Sequence, residues 1–95
     1  MSAYVVVQVD IHDAGTYERY RELAPAAITA HGGRYLARGG TTETLEGDWQ
    51  PNRLVILEFP SLAAARRWWA SPEYAEPKAL RQAAAETQMV AIEGV

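Results

Sequence analysis

Residues 4–11 read Tyr-Val-Val-Val-Gln-Val-Asp-Ile, and their alternation decides the fold. Val5, Val7, Val9 and Ile11 share one face, and Tyr4, Val6, Gln8 and Asp10 share the other. β-branched residues recurring at period two predict a central strand. The first face is wholly apolar and requires a covering layer. The second is mixed, so it either meets solvent or closes a polar cavity.

Working outward, Asp13 reads as the N-cap of a helix carrying Tyr17, Tyr20, Ala24, Ala27, Ile28 and His31 at helical spacing. Pro25 lies inside that pattern and predicts a kink or a break, because it removes a backbone donor and crowds the preceding turn. Gly32-Gly33 stops the helix. Residues 34–38 form a second strand, and Gly39-Gly40 predicts a bulge or a close approach of backbone or ligand. Thr41 to Leu45 read as a continuation of that strand, and residues 47–52 as turn chemistry. Residues 53–59, Arg-Leu-Val-Ile-Leu-Glu-Phe, are apolar on both faces apart from Glu58, as a central strand requires. Ser61 caps a helix over 62–70 with the stripe Leu62, Ala65, Trp68 and Trp69. Ser71 and Pro72 then restart a helix to about residue 85, with an irregularity expected at Pro77. Residues 88–93 make the last strand.

The order β-α-β-β-α-β predicts one α+β domain over residues 1–95, of ferredoxin-like architecture. Its antiparallel sheet has strand order 4-1-3-2 with the helices on one face. The other face carries Tyr4, Val6, Leu54 and Ile56. An apolar patch on a bare sheet calls for a partner. Self-association about a two-fold axis is the commonest remedy. A homodimer whose sheets face each other, a dimeric α/β barrel, is therefore expected.

Composition narrows the function. The chain has a formal net charge of −3 and a pI near 5.3, which disfavours nucleic acid as a partner. No apolar run approaches the roughly 18 residues of a membrane span. With no signal peptide evident and no cysteine, the expected location is cytoplasmic, without disulfides, thiolate chemistry or cysteine-based metal sites. His12 and His31 lack the spacing of metal ligands, so no metal is expected. Walker, GxGxxG, GxSxG and CxxC motifs are missing, and no cofactor is indicated.

The run Gly32-Gly33-Arg34-Tyr35-Leu36-Ala37-Arg38-Gly39-Gly40 closely resembles the signature of the domain of unknown function 1330 family. So do Leu45-Glu46-Gly47-Asp48-Trp49 and Arg53 to Ser61, together with Trp68 to Tyr74 and Arg81. The resemblance covers almost the whole chain. It implies the dimeric α/β barrel group, whose members include cofactor-independent monooxygenases, muconolactone isomerases and haem-dependent chlorite-decomposing enzymes. Kinship of fold assigns no reaction.

Within the sequence, Arg38 beside Gly39-Gly40 suits a carboxylate, since the planar guanidinium forms paired hydrogen bonds and glycine admits a small anion to the backbone. Its bland alternative is an ion pair with Glu58 or Asp10. Trp49, Tyr20 and Trp68 are candidates to enclose an apolar ligand body. His31, Glu58 and Asp10 are the candidates for proton transfer, as catalytic groups. His31 at a helix C-terminus, and Glu58 or Asp10 paired with Arg38 or Arg53, are the structural alternatives. A haem would require an axial ligand, for which His31 is the only candidate. Three functions are open: a homodimer binding a small organic acid, in one version a cofactor-independent monooxygenase- or isomerase-like enzyme; a non-catalytic dimer with a filled barrel; or a subunit that regulates another enzyme through the open sheet face.

Overall fold

The computed structural model describes residues 1–95. Strand β1 (Ala3–Ile11) is followed by helix α1 (Ala14–Ala30) and the strands β2 (Arg34–Arg38) and β3 (Leu54–Phe59). Helices α2 (Leu62–Ala70) and α3 (Pro72–Ala84) and strand β4 (Ala85–Glu93) complete the chain. The four strands lie in the order β2-β3-β1-β4, all antiparallel. This is the expected 4-1-3-2 order read from the other edge.

Strand β1 buries Ala3, Val5, Val7 and Val9 beneath the helices. Val55, Leu57 and Phe59 extend that face from β3. Helix α1 begins at Asp13, whose carboxylate accepts from the Thr16 amide at 3.1 Å. It ends at Gly32, which takes the left-handed backbone (φ +76°) that glycine tolerates. Ser61 and Ser71 cap α2 and α3 as the sequence predicts. The second crossover is thus two helices joined at Ser71. Trp68 enters the core at 1% exposure, while its neighbour Trp69, on the helix edge, is 45% exposed.

Several details differ from the sequence reading. Helix α1 runs unbroken through Pro25, and α3 through Pro77. Thr41 to Leu45 are not a strand but part of an exposed arm over residues 39–52. Strand β3 begins only at Leu54, and sheet pairing decides strand formation more than local propensity does. The bulge lies between Tyr35 and Ala37, not at the glycines. Finally, β4 starts at Ala85, because Ile11 pairs with that residue at the far end of β1.

The bulge sets the direction of Arg38. Tyr35 opposite Leu57 faces the helices, and so does Arg38 opposite Val55, three residues on. Strict alternation would send Arg38 to the other side.

At Gly33 a Cβ would lie 2.5 Å from Phe59 Cε1 and 2.8 Å from Ile28 Cγ2. Gly33→Ala should therefore lower the unfolding free energy by about 1–3 kcal/mol, the usual penalty of overpacking. Urea denaturation with an unchanged m-value is the check.

Candidate functional site

Two spaces lie between helices and sheet. The larger is a groove of about 490 Å³ where α2 and α3 overhang β1 and β4. The smaller is an interior cavity of about 20 Å³, deeper under α1. Trp68, Arg81 and Met89 line both and form the wall between them.

Arg81 is the centre of the groove. It belongs to the buried stripe of α3, with Tyr74, Pro77 and Ala84, and is only 4% exposed. Its Nε donates to Tyr74 Oη at 3.2 Å. None of the three ion pairs in the chain includes it. A buried guanidinium is normally matched by an acid, because removing the charge from water is expensive. Beside it, Trp68 Nε1 and Thr87 Oγ1 are buried and have no hydrogen-bond partner in the protein. The apolar wall is Val5, Leu62, Trp69, Met89 and Ala91, and Arg66 and Gln82 complete the lining. No Asp, Glu or His lines the groove. The arrangement suits an anionic head held on hydrogen-bond donors and an apolar body against the wall.

Aromatic contacts hold this wall. The Trp68 and Tyr74 ring centres are 4.3 Å apart, and those of Phe59 and Trp68 are 5.2 Å apart. Tyr74 Oη is also 2.9 Å from Tyr20 Oη, tying α3 to α1. Burial, then the neighbouring Tyr74, drives the Tyr20 pKa far above the ordinary tyrosine value of 10.0.

The interior cavity holds the second group. Pro25 has no amide to give to the Arg21 carbonyl four residues back. Arg38 Nη2 supplies that donor from β2 at 3.0 Å. The Arg38 guanidinium also lies 4.5 Å from the centre of the Tyr35 ring. It pairs with neither Glu58 nor Asp10. Arg53 lies 5.6 Å over the Tyr17 ring, and its guanidinium occupies the space a Cβ at Gly39 would need. Gly39 (φ +70°) is thus a point of close approach, by Arg53.

Of the nine residues singled out from the sequence, Tyr20, Arg38 and Trp68 meet around the interior cavity. The others lie apart. His31 caps the C-terminus of α1 and bonds Glu73 at 2.9 Å. Glu58 accepts from Arg34 Nε at 2.7 Å on the open sheet face. That bond holds its carboxyl below the ordinary range. Asp10 accepts from Asn52 Nδ2. Trp49 donates from the arm to Gln8, and a Cβ added at Gly40 would meet nothing within 4 Å. The sequence reading missed Arg81 and Thr87 as site residues. Arg81 is seven residues after Tyr74, the spacing that places both on one helix face.

The family described as domain of unknown function (DUF1330) matches residues 2–95. No curated protein matches. Among solved structures, a protein of unknown function from Rhodopseudomonas palustris superposes with a TM-score of 0.80 at 21% identity, over 99% of this chain and 82% of that one. A dimeric ferredoxin-like protein of unknown function from Jannaschia sp. gives 0.67 at 17%, over 99% of this chain and 100% of its own. SnoaB, a cofactor-independent oxygenase from Streptomyces nogalater, gives 0.67 at 13%, over 99% and 93%. At these identities the likeness is one of fold.

Because the fold favours neutral Tyr20, its contribution to stability is complete below the unfolded pKa near 10.0. It is lost as pH rises above that value and the unfolded chain ionises. Absorbance at 295 nm should show Tyr20 ionising only together with loss of far-UV circular dichroism. Tyr20→Phe should flatten the fall in stability above pH 10. Ionisation of Tyr20 in the folded chain near the ordinary value would contradict the burial described.

Proposed function

This chain belongs to the DUF1330 family, and from that footing we propose that it is a homodimeric protein that binds a small organic acid in the groove beneath α2 and α3. The observation that carries the reading is Arg81, buried and without an acid. The carboxylate of the ligand takes the place of the missing counter-ion beside Arg81. Trp69, Leu62 and Met89 cover the body of the ligand. The volume of about 490 Å³ suits a molecule of metabolite size. With no imidazole or carboxylate lining the groove, the proposal is one of binding and includes no proton-transfer step. The likeness to SnoaB supports the architecture and leaves the reaction open.

The homodimer rests on the open sheet face. Tyr4, Val6, Leu54 and Ile56 lie on it. Val90, at 63% exposure, and Ile92, at 60%, extend it to the edge. The structures from Jannaschia sp. and Bacteroides fragilis are described as dimeric, which agrees with a second copy covering this face.

Arg81→Met separates binding from structure. Removing an unmatched buried charge should leave the unfolding free energy within about 1 kcal/mol of wild type, or raise it. Calorimetry against benzoate and other small aromatic and keto acids should meanwhile show affinity falling by about 30-fold or more, the loss of one buried charge-assisted contact. A large loss of stability, with no acid bound by the wild type, would make Arg81 a structural residue and favour the filled scaffold. Sedimentation of wild type at ~10 μM should give a dimer, since interfaces of this kind are stable in that range. Val90→Lys with Ile92→Lys should give a monomer. A wild-type monomer would remove the second copy.

A further inference from the structure

The interior cavity poses a separate electrostatic problem. Four arginines line it, Arg21, Arg38, Arg53 and Arg81, and its lining includes no Asp or Glu. Only Arg21 has an acid, Glu18 at 3.3 Å, and that pair is made on the exposed side of α1. Arg21 Nε and Arg53 Nε are both buried and find no partner in the protein. Two backbone features place Arg38 and Arg53 at this cavity, while Arg38 and Arg21 keep part of their side chains in solvent. The bulge after Tyr35 turns Arg38 toward the helices, and glycine at 39 leaves room for the Arg53 guanidinium. Like charges lining one cavity repel, and tyrosine rings relieve only part of that.

The volume selects the occupant. About 20 Å³ is room for a single water-sized particle. It excludes a carboxylate, a sulfate or a phosphate together with whatever carries it. A monatomic anion meets both requirements, since it brings a full negative charge in the space of one atom. We propose that this cavity is a halide site, in which one chloride or bromide ion is held by Arg53 and Arg21 through their unpartnered Nε–H groups, with Arg38 closing the β2 side. The ion lies behind the Trp68–Arg81 wall and is independent of any ligand in the groove. Its role is to bind the folded chain and so to stabilise it. It joins α1, β2 and the residue that leads into β3 through the three guanidinium groups.

Thermal unfolding at constant ionic strength, with sodium chloride or bromide exchanged for sodium gluconate, tests this directly. The melting temperature should rise saturably with halide, by about 4–8 °C for a chain of this size once the site is well filled. Bromide should act as chloride does. Arg53→Met should abolish the halide dependence, and Arg66→Met, which alters the groove alone, should keep it. Equal melting temperatures in chloride and gluconate would overturn the proposal. So would a halide effect that survives Arg53→Met, which would place the ion outside the cavity. If Arg53→Met does not fold, wild-type crystals soaked in sodium bromide decide the matter. An anomalous peak between Arg21 and Arg53 confirms the site, and its absence from the cavity refutes it.

Discussion

Everything in this fold is arranged around β1, which lies between β3 and β4 and pairs with β4 along its whole length. Two neighbouring strands satisfy its backbone, so its side chains alone decide what covers the sheet. The odd-numbered residues from Ala3 to Val9 are almost fully buried. Each such side chain contributes about 1.5–3 kcal/mol for the larger apolar types, and this burial holds α1, α2 and α3 on one side. The even-numbered residues Tyr4 and Val6 lie on a face that no helix covers. The same alternation that creates the core therefore also creates the surface on which a second copy is expected.

The interior is notable for its polar aromatics. Tyr17, Tyr20, Tyr35 and Tyr74 are placed where phenylalanine would pack as well. Their hydroxyls and ring faces give the neighbouring arginines contacts that phenylalanine could supply only in part. Arg38 and Arg53 lie over tyrosine rings, and Arg81 donates to a tyrosine hydroxyl. Guanidinium is weakly hydrated and stacks on aromatic faces, so it suits this setting better than an ammonium. The net charge of −3 conceals it. The acids are spread over the surface, while four of the arginines line one cavity and one of them, Arg81, is buried.

The fold was legible because its signals are local. Alternation in β1, serine caps at 61 and 71, and glycine after α1 each specify one element, and they agree with one another. Where the reading failed, a tertiary contact had prevailed. Thr41 to Leu45 have no strand to pair with. The bulge moved from the glycines to Leu36, where two residues face Ile56. The site was less legible for the same reason. His31, Glu58 and Asp10 are chemically able groups, but each is engaged by a neighbour, Glu73, Arg34 and Asn52 respectively. Distance in space decided their partners, and spacing along the chain carries little of it. Arg81 was available from periodicity alone, as a charge on the buried stripe of α3.

The contact between Arg38 and the Arg21 carbonyl has a consequence for the order in which the chain assembles. Proline in a helix interior disfavours it by roughly 3 kcal/mol. In isolation, residues 14–30 should thus behave as two short segments hinged before position 25. In the folded chain the freed Arg21 carbonyl takes its donor from β2. Helix α1 is then expected to be completed by docking rather than to precede it. The first three elements are expected to condense as one cooperative unit.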